Sequence, residues 1–220
     1  MKKTTKYRFL LFLAVLCAVI LRIYFFQGVQ PSDGSRYINF AHKICVEQVA
    51  PLENDMAKLR PGMIIPYGIV MKIFGVSEYS ISALSLLVSI LCILCAYYIG
   101  KRFFNREVGI LAAFLMVFLP IEISMSTSVM PDLFIELLHG LGVIFLMISL
   151  NKKNRKKNSL YVFLVGILCG MAMLTKVTGI FFVVPAGIIL IMKKKRFSYI
   201  CYLVARSEER RVGKECVSEC

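Results

Sequence analysis

An all-α bundle of transmembrane helices, about six spans in all, is the fold that this 220-residue sequence predicts, and two observations predict it. The composition is 58% hydrophobic with a mean hydropathy of +0.73, and the apolar runs are long enough to cross a hydrocarbon core of about 30 Å. Short basic clusters punctuate those runs at intervals that suit an even number of crossings between one cluster and the next. A soluble domain is excluded. The net charge of +14 would suit a nucleic-acid partner if it lay along one soluble face, but it is confined to the clusters, and positive-inside topology accounts for it without nucleic acid.

The clusters are Lys2, Lys3, Lys6 and Arg8; Lys101, Arg102 and Arg106; Lys152, Lys153, Arg155, Lys156 and Lys157; and Lys193, Lys194, Lys195 and Arg196. With each cluster on the cytoplasmic side, residues 9–26 run outward and residues 81–99 return after a long outer loop. Residues 108–123 and 133–150 form a second outward and inward pair, and residues 160–174 and 178–192 a third. The expected location is therefore the cell membrane, multi-pass, with the N-terminus cytoplasmic.

Residues 1–26 have the basic head and apolar stretch of a signal peptide, but Arg22 interrupts the run and no small-residue cleavage site follows Phe25-Phe26-Gln27, so an uncleaved first span is expected. The eight cysteines do not read as a disulfide framework, because Cys17, Cys92, Cys95 and Cys169 fall inside spans. Cys92-x-x-Cys95 has redox or metal spacing, yet on a lipid-embedded helix its expected role is small-residue packing. The last stretch, R-S-E-E-R-R-V-G-K-E-C-V-S-E-C from Arg206, turns abruptly polar and resembles, through Cys216, one reading frame of a common sequencing adapter. Residues 1–205 are accordingly read as the N-terminal part of a longer membrane domain, and residues 206–220 as adapter read-through.

Four polar features collect on the expected outer face. They are Asp33 with Arg36 and Tyr37, the Arg60-Pro61-Gly62 turn, Pro131-Asp132 at the opening of the fourth span, and Thr175-Lys176 at the end of the fifth. Ionisable groups at membrane depth are costly, which makes them functional candidates. If Ser32 caps a short outer helix, Asp33 lies in its first turn, where the helix dipole favours a carboxylate. Asp132, Glu136 and His139 follow helical spacing and share roughly one face of the fourth span. A divalent metal on those three is one reading; hydrogen bonding between helices is the favoured one for Glu136 and His139.

Taken in order, P-S-D-G-S-R-Y-I-N-F-A after the first span, R-P-G-M-I-I-P-Y-G-I-V-M-K-I-F-G-V-S-E-Y-S-I-S-A-L-S-L-L, K-R-F-F-N-R-E-V-G-I-L-A-A-F-L-M-V-F-L-P, S-V-M-P-D-L-F and G-I-L-C-G-M-A-M-L-T-K-V-T-G are similar to a known pattern. The run resembles the N-terminal half of bacterial integral-membrane glycosyltransferases, the superfamily of protein O-mannosyltransferases and lipid A aminoarabinose transferases. The resemblance implies a GT-C-like fold with its active site at the outer membrane surface. It implies a polyprenyl-phosphate-linked sugar donor and an extracytoplasmic acceptor as partners. It also places Asp33 at the first-loop catalytic acid, Asp132 at the acidic position after the second outer loop, and Lys176 at a basic position near the donor phosphate. Many relatives carry two adjacent acids in the first loop, whereas here Gly34 follows Asp33.

The chemistry suits these residue types independently. A lipid phosphate leaves readily, so the reaction needs a carboxylate to accept the acceptor hydroxyl's proton and a cation to stabilise the departing phosphate. Asp33 supplies the first, and Lys176 or Arg60 the second. The alternative class is a secondary transporter, in which Pro61, Gly62, Pro66 and Gly68 mark a broken helix lining a substrate path. Polar groups gathered at one face favour the transferase, since a transporter site belongs at the midplane. A purely structural membrane subunit would need the outer acids to be dispensable.

Overall fold

A computed structural model of the protein describes residues 2–31, 33–48, 60–151 and 155–192. Within them the chain is an all-α membrane helix bundle. Its helices are α1 (Lys2–Tyr24), α2 (Asp33–Ala41), α3 (Pro61–Phe74), α4 (Glu78–Phe103), α5 (Arg106–Phe118), α6 (Pro120–Met125), α7 (Pro131–Asn151), α8 (Arg155–Thr175) and α9 (Ile180–Met192). A π-helical turn, His42–Val46, continues α2, and a 3-10 turn, Val177–Gly179, precedes α9. By length and composition, α1, α4 and α7 can each cross a membrane, while α3, residues 159–175 and residues 177–192 are shorter apolar segments. The adapter-like residues 206–220, Ser32 and the Lys193–Arg196 cluster lie outside the described residues.

The predicted fifth span falls within α8, and the sixth is the 3-10 turn followed by α9. The predicted third span is not one helix. Leu119 is extended at φ −68° and ψ 117°, and Pro120 opens the separate α6. Proline restricts the residue before it to extended backbone and removes a helical N–H, so the break falls where the sequence requires it. The described residues between α1 and α4 also form helices. Pro61 sits in the first turn of α3, where its missing N–H costs nothing, and α3 continues through Pro66 as one helix without the interruption that the transporter reading invokes.

Local caps fix the long helices. Ser77 Oγ accepts from Ser80 N at 3.1 Å, while Ser80 Oγ accepts from Ser77 N at 3.3 Å, a reciprocal box that starts α4. Asn105 caps α5 by accepting from Val108 N at 2.9 Å. The α4–α5 turn closes tightly because Gly100 and Gly109 face each other; a Cβ on Gly109 would lie 2.7 Å from the Tyr97 carbonyl.

Contacts between helix ends place them at two poles. At one, Tyr7 on α1 donates to Glu107 Oε1 at the start of α5 (3.0 Å). At the other, Gln27 N donates to Thr127 Oγ1 (2.9 Å) and Val29 N donates to Glu78 Oε1 (3.0 Å), joining the end of α1 to the α6–α7 turn and the start of α4. Gly28 between them has φ +68°, and a Cβ there would collide with the Glu78 carboxylate. Helix α3 begins against the end of α8 and leads within a few residues to the start of α4. Both of its ends therefore belong to this second pole, and it runs across the bundle instead of through it. Its buried face (Met63, Ile64, Tyr67, Met71) packs with Tyr37, Phe40, Ile81, Val88 and Phe134 in one apolar cluster, which roofs α4 and α7. Tyr67 reaches down to share a 2.6 Å hydrogen bond with Ser85 of α4.

Candidate functional site

The second pole holds all four residues singled out from sequence. Pro131 opens α7, which puts Asp132 in its first turn, and α8 ends at Thr175, which frees Lys176 to turn back. Lys176 Nζ donates to both oxygens of the Asp132 carboxylate, at 2.7 and 3.0 Å. The pair is half-buried, with 31% of the Lys176 side chain and 42% of the Asp132 side chain exposed, so both remain within reach of a ligand.

Arg60 immediately precedes α3, whose start packs against the end of α8. A Cβ on Gly62 would collide with Thr175 Oγ1 and lie 3.0 Å from the Met171 carbonyl, so only glycine allows the start of α3 to approach the end of α8 this closely. Thr175 is itself buried and donates to the Met171 carbonyl at 2.8 Å. Arg60 then donates to the hydroxyl of the buried Tyr37 on α2, with its guanidinium carbon 5.3 Å from the ring centroid. That cation–π contact orients the guanidinium without neutralising it.

Asp33 opens α2 as the sequence predicts, in the first turn. Its side chain is 76% exposed and its Oδ1 lies 3.9 Å from Arg36, a loose pair of little energetic weight. Asp33 lines an open cleft of about 610 Å³ with Pro31, Ser35, Arg36 and Met130. Met130 is two residues before Asp132, so the cleft spans from the start of α2 to the residues that lead into α7. The structure thus joins Asp132 directly to Lys176, sets Arg60 two residues before the α3–α8 contact at Gly62, and sets Asp33 across a cleft from the residues that lead into α7.

Beyond Asp132, α7 carries Glu136 and His139. His139 Nε2 lies 3.2 Å from the Gly179 carbonyl, and Glu136 is half-buried on the same helix. His139 thus joins α7 to the turn before α9, and no group of three His, Cys, Asp or Glu side chains is placed to hold a metal ion among the described residues. Cys92 and Cys95 are buried free thiols, with Cys92 Sγ 3.8 Å from the Leu133 carbonyl, in the packing role expected of them.

Sequence reading passed over Glu122 altogether and took Arg22 only as an interruption. Both are buried, and Arg22 Nε donates to Ser89 Oγ at 2.8 Å. The signal was present, because each is an ionisable residue inside an apolar run.

No curated protein and no solved structure matches the chain. A family match does exist, and it covers residues 64–206, including Asp132 and Lys176 but not Asp33 or Arg60. On that match, which takes in well over half of the sequence, the chain belongs to the dolichyl-phosphate-mannose-protein mannosyltransferase family, whose members are membrane glycosyltransferases.

Proposed function

We propose that the protein moves a sugar from a polyprenyl-phosphate-linked donor to the hydroxyl of an extracytoplasmic acceptor. In this reading the second pole faces away from the cytoplasm in the cell membrane, and the donor phosphate binds between Lys176 and Arg60. Asp33 takes the acceptor's proton as its oxygen attacks the anomeric carbon. The bond from that carbon to the phosphate oxygen breaks, and the phosphate carries away the bonding pair. Lys176 and Arg60 stabilise the charge it gains. Asp132 holds Lys176 at the end of α8 until the phosphate competes for the ammonium.

The observation that supports this reading is the Lys176–Asp132 pair at the meeting of α7 and α8, with the start of α3, just after Arg60, packed against the end of α8, and with an exposed Asp33 in a cleft that reaches Met130. The family supports glycosyl transfer as the reaction class. An exposed base suits an acceptor that arrives from solvent, and cations held by partial partners suit an anionic group that arrives in the membrane.

The test is reconstitution of the full-length protein in vesicles carrying polyprenyl-phosphate mannose. Sugar released from the lipid and recovered on an acceptor is the expected result. Uptake of free solute into the vesicles, with the lipid-linked sugar untouched, would overturn the reading in favour of a transporter.

A further inference from the structure

Residues 27–29, which lead from α1 toward Asp33, belong to no helix, yet they are held from two sides. Gln27 N donates to Thr127 Oγ1 at 2.9 Å, and Val29 N donates to Glu78 Oε1 at 3.0 Å. Gly28 between them is buried with φ +68°, a conformation that glycine adopts without strain. The Gln30 side chain donates to Gln27 Oε1 at 2.7 Å and closes the segment on itself.

Thr127 lies in a buried turn, Ser126-Thr127-Ser128, in which no residue is more than 5% exposed. Ser126 donates to the Ile123 carbonyl at 2.7 Å and Ser128 to the Met125 carbonyl at 3.2 Å, so both hydroxyls fasten the turn to α6. Thr127 reaches across instead to the chain leaving α1. The two partners of that bond lead to opposite walls of the candidate cleft. Gln27 runs on to Pro31 and Asp33 on one wall, with the fixed φ of Pro31 stiffening the path, and Thr127 runs on to Met130 on the other. Val29 packs against the apolar cluster that holds Val129 together with Tyr37 and Ile38 of α2. Segment, turn and α2 therefore share one packed body.

We infer that Thr127 and Glu78 are positioning residues for Asp33. By fixing the chain ahead of α2, they set the place of Asp33 relative to Met130, and hence the room in which an acceptor hydroxyl meets the base. Both act through the backbone and touch neither donor nor acceptor. The inference rests on the proposed function, in which Asp33 takes the acceptor's proton. Misplacing a reacting group by about 1 Å costs on the order of 100-fold in rate, so a hydrogen bond away from the chemistry is enough to control it.

The test uses the full-length protein in lipid nanodiscs, with single-turnover transfer from polyprenyl-phosphate mannose, donor affinity and amide hydrogen exchange measured on the same variants. Thr127→Val keeps the shape of the side chain and removes the accepting oxygen. It should speed exchange across residues 27–30 by about tenfold, the worth of one hydrogen bond, and slow the chemical step by about tenfold or more. Donor affinity should not change, because Lys176 and Arg60 are held by other partners. Thr127→Ser, which retains the oxygen, should restore both exchange and rate. Glu78 is exposed at the start of α4, so Glu78→Ala keeps the fold and should repeat the pattern more weakly, while Glu78→Gln should behave as the parent. In an Asp33→Asn background Thr127→Val should slow transfer no further, since its effect passes through the base. A parent protein that transfers sugar, with a chemical step unchanged in both Thr127→Val and Glu78→Ala, would overturn the inference and leave the proposed function standing. So would an equal loss from Thr127→Val with and without Asp33. A parent that transfers no sugar would overturn the proposed function, and the inference with it.

Discussion

Lys176 Nζ sits 2.7 and 3.0 Å from the two oxygens of Asp132, so one ammonium bridges the end of α8 to the start of α7. An ion pair this exposed contributes about 0–1 kcal/mol to stability, which is too little to account for it as a structural clamp. Its value lies in placement. In the proposed function, Asp132 keeps a cation at the end of a helix where an incoming phosphate takes it over with little loss.

That asymmetry gives the first prediction. Lys176→Ala should leave the melting temperature nearly unchanged while raising the KM for the lipid-linked donor by about tenfold or more, the worth of one charge-assisted hydrogen bond. Asp132→Asn should change donor affinity less, because the lysine stays. A melting temperature that collapses in Lys176→Ala, with donor KM unaltered, would make the pair structural instead.

A second prediction concerns the approach of α3 to α8. Gly62→Ala improves helix propensity by about 1 kcal/mol, but its Cβ meets Thr175 Oγ1 and the backbone of α8, and overpacking costs about 1–3 kcal/mol. The contact should win, giving a lower melting temperature and, by displacing Arg60, weaker donor binding. Combining it with Thr175→Ala should recover part of the loss, since the nearest clashing atom is then gone. Equal stability of Gly62→Ala and the parent would show that the α3–α8 step is slack.

Orientation is open to a third prediction. In a cysteine-free background, Asn39→Cys and Val177→Cys should react with a membrane-impermeant maleimide on intact cells, because both positions are exposed at the second pole. Phe104→Cys, exposed at the other pole beside Lys101 and Arg102, should react only after lysis. The reverse pattern would place the candidate site in the cytoplasm.

Much of this fold could be read from the sequence because the physics behind it is local. Apolar length and basic flanks marked α1, α4 and α7, and Pro131 and the Thr175-Lys176 step gave helix ends that the structure keeps. The break at Leu119 was missed because hydropathy averages over Pro120. Helix α3 was missed as an element for a different reason: its role across the pole depends on Gly62 meeting Thr175, a contact between residues more than a hundred positions apart. Asp132 and Lys176 could be named in advance, but their pairing could not, since each had an equally good local role as an interfacial charge.

The most direct test of the account is single-turnover transfer from polyprenyl-phosphate mannose by the Asp33→Asn variant of the complete protein, with donor binding measured alongside. Asp33 is exposed and its only close ionic partner among the described residues is Arg36 at 3.9 Å, so the substitution should leave folding and donor affinity intact. The account predicts a chemical step slower by roughly 100-fold or more, the usual loss when a general base is removed. Near-normal single-turnover rates in Asp33→Asn would contradict it, reducing Asp33 to a helix-start carboxylate and moving the search for the base to Asp132.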